Sequence, residues 1–164
     1  MILFSTEQSP LGDLTLVGDG AALTGLYMND HRHQPPLPAG ARRDDRAFDR
    51  VRAQLAEYFD GDRTEFDLPL RMAGSPFQLE VWEALRGIGY GQTLSYGELA
   101  RRIGRPRSSR AVGLANGRNP ISIVVPCHRV IGSSGSLIGY GGGLERKRFL
   151  LDLETPALFS KRAS

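Results

Sequence analysis

Cysteine occurs once in the 164 residues, tryptophan once and histidine three times. A single thiol, Cys127, excludes an internal disulfide and leaves no Cys-rich zinc cluster to assemble. No apolar run approaches the ~18 residues that a membrane-crossing helix needs. The first residues, Met-Ile-Leu-Phe-Ser-Thr-Glu-Gln, carry neither a basic start nor the long apolar stretch of a secretion signal. These absences predict a cytosolic protein in a reducing compartment, with no membrane partner. His31 and His33 form an isolated pair in a proline-rich loop over 31–40, without further ligands nearby, so no metal is expected there.

What is present is ordinary in amount and uneven in distribution. Hydrophobic residues make up 40% and charged residues 24% of the chain, the balance of a globular protein without disorder. Residues 1–70 hold seven Arg against twelve acids, net −5, whereas 71–164 hold fourteen Arg plus Lys against six acids, net +8. A basic half beside an acidic one points to a polyanionic partner, nucleic acid first; the competing reading is that the cations only solvate the surface.

The N-terminal part reads as β-rich. Ile2 to Glu7, Leu14 to Val17 and Leu23 to Met28 are short β-prone runs, the first two separated by the turn signature Ser9-Pro10-Leu11-Gly12. Phe48, Val51, Leu55, Tyr58 and Phe59 then recur at helical spacing up to Gly61. A new unit begins near residue 72, where Ser75-Pro76-Phe77-Gln78 is a capping box with proline at the first helical position. Ser95-Tyr96-Gly97-Glu98 repeats the capping pattern and opens a short helix that stops at Gly104. A further helix is expected from Pro106 to Asn116-Gly117, giving helix-turn-helix geometry with the second helix as the recognition helix. The pattern predicts an α+β protein of two small domains: a β-sheet with helix over 1–71, and a mostly helical domain with helix-turn-helix over 72–164.

The recognition helix has small residues, Ala111, Gly113 and Ala115, at positions expected to be exposed, flanked by Arg107, Arg110 and Arg118. Small side chains let a backbone approach a groove while arginines reach phosphates, although alanine and glycine equally permit close helix packing. Downstream, Ile-Val-Val-Pro-Cys127-His128-Arg129-Val ends an apolar run in a thiol with an imidazole and a guanidinium beside it. Free cysteine is often simply a core residue. The adjacent His128 and Arg129 favour a nucleophile instead, because either can promote the thiolate. Neighbours in a strand face opposite ways, so Cys127 and His128 need not touch directly.

Arg110-Ala111-Val112-Gly113, Asn119-Pro120, Pro126-Cys127-His128-Arg129-Val130 and Gly139-Tyr140-Gly141-Gly142-Gly143-Leu144, in that order, resemble the O6-alkylguanine-DNA alkyltransferases. The resemblance spans about residues 75–154, and the first seventy fit only in outline, as a variable N-terminal domain. It implies a single-turnover, cofactor-free DNA repair protein, a methylated-DNA-[protein]-cysteine S-methyltransferase. Such a protein flips O6-alkylguanine, and O4-alkylthymine, out of double-stranded DNA and moves the alkyl group irreversibly to Cys127. By resemblance His128 is the base, acting through a bridging water, and Glu154 the acid that orients it. Tyr96 helps turn the nucleotide out and donates to the departing guanine, and Asn119 is a structural amide. Arg110 fills the space left in the stack, and Ala111, Gly113, Ala115 and Arg118 follow the minor groove. Backbone groups at Cys127, Val130 and Gly141 read the base edge, with Tyr140 and Lys147 among the substrate contacts. A monomer is expected, with clustering along DNA left open.

Two positions depart from the family pattern. Gly141 stands where some relatives carry serine, and Ser122 replaces a proline, which suggests tolerance of adducts larger than methyl. Competing functions are a sensor that binds alkylated bases without transfer, a Cys-His hydrolase and a helix-turn-helix regulator. Cys127 argues against the first, and the sparse recognition helix against the last.

Overall fold

A computed structural model describes residues 1–29, 34–133, 135, 140 and 142–155. His31, His33, Gly139 and Gly141 lie outside the described residues. The N-terminal half is a four-stranded sheet in the order β3-β2-β1-β4, built from β1 (Leu3–Ser9), β2 (Gly12–Gly18), β3 (Leu23–Met28) and the two-residue β4 (Arg42–Arg43). β1 and β2 form an antiparallel hairpin with Ser9 opposite Gly12, so Pro10 and Leu11 make the turn; Gly12 follows it with φ +97°, a conformation open to glycine. Leu14 and Leu16 alternate inward on β2 and pack with Val51, Leu55 and Tyr58 of α1 (Asp49–Phe59).

β3 departs from simple alternation, with five of its six residues buried. Its free edge is covered. Leu23 exchanges hydrogen bonds with Pro69 and Arg71, at 2.9 Å each, while Leu26 N donates to Pro120 O at 2.8 Å and Leu26 O accepts from Ser122 N at 3.2 Å. One strand therefore braces both the connection between the halves and the segment that leads to Cys127.

The C-terminal half contains α2 (Pro76–Leu85), β5 (Leu94–Ser95), α3 (Tyr96–Arg102), α4 (Ser109–Gly117), β6 (Val130–Ile131) and α5 (Leu144–Glu154). Both capping boxes form: Ser75 and Gln78 bond reciprocally at the start of α2, and Ser95 and Glu98 at the start of α3. α3, a turn through Gly104 (φ +75°) and α4 make the helix-turn-helix. The start of α4 differs from expectation. Pro106 sits in a turn closed by Ser108 N donating to Arg105 O at 2.9 Å, and the helix begins only at Ser109. Proline's fixed φ suits the second position of a β-turn as well as a first helical turn, and the turn prevails. Among the described residues no helix is long and apolar enough to cross a membrane.

Candidate active site

The segment that delivers Cys127 is a loop of tight turns, not the strand that its apolar sequence suggests. Val124 N donates to Ser122 O at 2.8 Å, closing a three-residue turn around Ile123, whose φ of +72° is rare for a β-branched residue. Cys127 N then donates to Val125 O at 2.8 Å around Pro126 (φ −82°, ψ 63°), an inverse γ-turn. A strained backbone of this kind persists only when its surroundings over-determine it. Asn119 supplies that constraint: its Nδ2 donates to Val125 O at 2.8 Å and its Oδ1 accepts from Ile121 N at 3.0 Å. Cys127, His128 and Arg129 form one 3-10 turn leading into β6, so it is turn geometry, not strand alternation, that separates thiol and imidazole.

Glu154, at the end of α5, is the hub of a buried polar cluster. Its Oε2 meets His128 Nε2 at 2.8 Å and accepts from the Tyr58 hydroxyl at 2.6 Å and an Arg129 terminal nitrogen at 2.9 Å; its Oε1 accepts from Arg129 Nε at 2.8 Å. Burial pushes the Glu154 carboxyl up, but the bonds from His128 and Arg129 outweigh it and hold the pKa at about 2. An ionised carboxylate only accepts, so Nε2 carries the imidazole proton and Nδ1 presents a lone pair. Burial also lowers the pKa of His128, against the pull of Glu154, which keeps the ring neutral near pH 7. Nδ1 is buried with no hydrogen-bond partner among the described residues, the arrangement of a base awaiting a proton.

The thiol itself is 3% exposed, and burial raises its pKa to about 11, against lowering by Asn119 and Lys147. It therefore rests as a thiol. Arg129 does not promote the thiolate as its adjacency suggests, because its guanidinium is committed to Glu154 and to Ile88 O at 2.6 Å. Lys147 is fully buried, its pKa lowered by burial to about 8, with Nζ 5.8 Å from the centre of the Tyr96 ring. Its charge lies close enough to Cys127 to favour the thiolate. Tyr96 opens α3 and is pushed to about 12 by burial and by Cys127.

On α4, Arg110 and Ala111 are exposed, and Arg118 is exposed just beyond its end. Gly113 is partly buried, and a Cβ there would stand 3.5 Å from the Tyr96 ring, an ordinary van der Waals contact, so packing against that ring does not by itself require glycine. Ala115, expected on the exposed face, is buried at 3%, and its carbonyl accepts from Trp82 Nε1 at 2.8 Å, because that side of α4 packs on α2. Val130 is buried in β6, paired with Leu94. Tyr140 is buried with its hydroxyl 3.9 Å from Met28 Sδ of the N-terminal sheet.

Sequence reasoning missed four participants. Asn116 donates to Cys127 O at 3.3 Å, Tyr58 reaches Glu154 from α1, Met28 abuts Tyr140, and Leu114 is 68% exposed on α4. Tyr58 was legible only as a core position, since nothing in the chain signals a contact across 96 residues.

Two family models match in chain order: the ribonuclease-like domain of 6-O-methylguanine DNA methyltransferase over residues 2–72, and its DNA binding domain over residues 76–156. A methylated-DNA--protein-cysteine methyltransferase of Mycolicibacterium paratuberculosis is 56% identical over 154 residues, covering 94% of this chain and 93% of the relative. One of the same name from Methanosarcina acetivorans is 46% identical, covering 92% and 97%. Among solved structures, the Mycobacterium tuberculosis OGT in complex with DNA superposes with a TM-score of 0.91 at 52% identity, covering 94% of this chain and 93% of that one. With both family models matched and this identity sustained along almost its whole length, the chain belongs to the 6-O-methylguanine DNA methyltransferase family.

Proposed function

We propose that the protein repairs DNA by moving an alkyl group from O6 of guanine onto its own Cys127, once per molecule. Its relatives bear the name methylated-DNA--protein-cysteine methyltransferase, and the chain is a stoichiometric enzyme of that class that binds DNA. The observation that carries the reading is the buried Cys127 next in sequence to a neutral His128, whose Nδ1 has no hydrogen-bond partner among the described residues and whose Nε2 is fixed by Glu154.

The thiol proton passes through a water to His128 Nδ1, and Sγ attacks the alkyl carbon. The S–C bond forms as the C–O6 bond breaks, and the electron pair leaves with guanine, which takes a proton from the Tyr96 hydroxyl. Lys147 offsets the charge of the forming thiolate. The product is a thioether with no good leaving group, and with one cysteine there is no second thiol to relieve it.

O6 is out of reach of a buried sulfur while the base is stacked, so the nucleotide is flipped out. Arg110 enters the stack, and α4 lies in the minor groove, with Ala111 toward the DNA and Arg118 toward phosphate. O4-alkylthymine, with the same alkyl–oxygen chemistry, is a second substrate. The protein acts as a monomer, divided into a bracing domain over 1–71 and a reacting domain over 72–164. Exposure to an O6-methylguanine oligonucleotide, followed by mass spectrometry, should find one added methyl on Cys127 and none in Cys127→Ser. Repeated turnover, or methyl on another residue, would refute the reading.

A further inference from the structure

Tyr58 belongs to α1 of the N-terminal half, yet its hydroxyl lies 2.6 Å from Glu154 Oε2, the same oxygen that holds His128 Nε2. It is 1% exposed, fixed between Phe59, Phe66 and Tyr90 at ring separations of 5.4, 5.3 and 6.3 Å. Resting on the transfer mechanism above, we infer that Tyr58 is a positioning residue: its hydrogen bond draws charge from the Glu154 oxygen facing His128 and so sets how basic the imidazole is.

The cluster explains why such a device is useful. A bare carboxylate against a buried imidazole stabilises the imidazolium, and a protonated His128 accepts nothing from Cys127. The groups facing the pair are Arg129 from the 3-10 turn, Tyr90, Tyr140, and Lys147 on α5, besides Tyr58 itself. Arg129 spreads its bonds over both carboxylate oxygens, whereas Tyr58 and His128 share Oε2. Burial, and then Glu154, push the Tyr58 phenol far above its usual pKa, so it stays a donor at every working pH. The N-terminal half thereby reaches the Glu154–His128 pair through the Tyr58 hydroxyl, in addition to bracing the loop through Leu26.

The test is the pH dependence of single-turnover methyl transfer in wild type and Tyr58→Phe, with the His128 imidazole titrated by NMR in each. Losing the hydroxyl should move both the acid limb of the rate and the His128 titration to higher pH, by about half a unit or more. Incorporating 3-fluorotyrosine at position 58, a stronger donor, should move both to lower pH, and serves if Tyr58→Phe does not fold. Curves coincident with wild type would overturn the inference, even with a lowered melting temperature, because a purely structural role predicts that outcome. A wild-type rate with no acid limb tracking His128 would instead remove the histidine relay, and the inference with it.

Discussion

Asn116, on the buried side of α4, donates from Nδ2 to the backbone carbonyl of Cys127, 3.3 Å away. The helix that carries Arg110 and Ala111 outward is thus tied on its inner face to the nucleophile's own peptide. Asn119, two residues beyond α4, holds the preceding turns through Val125 O and Ile121 N. Replacing Asn116 with alanine removes this bond while the Val130 N–H still donates to the same carbonyl, so the cost in stability should be about 1 kcal/mol. Transfer should slow while DNA affinity is kept, since the exposed face of α4 is untouched. Thermal melting, gel-shift binding and single-turnover transfer check this, and an unchanged transfer rate would show that the tie is dispensable.

Glu154 should govern stability in acid. Its folded-state carboxyl is held at about 2, below the unfolded range near ~4.3, so the network's contribution is complete above the unfolded value and is lost as pH falls toward 2. In Glu154→Gln that dependence disappears, and at neutral pH Arg129 is left as a buried cation without its carboxylate, costing about 3–5 kcal/mol. Urea denaturation at several pH values separates the two effects: the variant's stability should be lower near neutrality and flatter below pH 5.

Alkylation adds bulk where there is little room. Cys127 is 3% exposed and sits in a loop fixed by Asn116 and Asn119. Overpacking of this size costs about 1–3 kcal/mol. Calorimetry should find the methylated protein melting lower than the free thiol, by roughly 2–4 °C per kcal/mol for a chain of this length. Equal or higher melting after transfer would mean that the thiol does not reside in a packed site.

The elements that local chemistry specifies were the ones legible in the sequence. Ser75 with Gln78 and Ser95 with Glu98 announce two helix starts, and the β-prone runs on either side of Ser9-Pro10-Leu11-Gly12 announce two strands and their turn. What escaped was decided by tertiary contact. The run through Val125 reads as a strand, but hydrogen bonds from Asn119 and from β3 hold it in γ-turns. Ala115, expected on the exposed face, is buried because α4 lays it against Trp82. Arg129 reads as an activator of the adjacent thiol until Glu154, 25 residues on, claims it. The proximity of Tyr58 to Glu154 depends on how the two halves dock, which no local pattern encodes.

Arg118 lies at the end of α4, exposed, and makes no ion pair among the described residues. Ala111 and Leu114 on the same helix offer no hydrogen-bonding side chain to a base edge, so affinity should rest on phosphate contacts and change little with sequence. Each phosphate neutralised releases counterions, and log affinity then falls linearly with log salt. Arg118→Gln should weaken binding uniformly across unrelated duplexes and reduce the steepness of that line by about 1. Because the substitution leaves the Glu154 cluster and Cys127 intact, transfer at saturating DNA should match wild type. Fluorescence anisotropy over a salt series, paired with single-turnover transfer at high DNA, measures both. An unchanged salt slope would move the phosphate contact away from the end of α4.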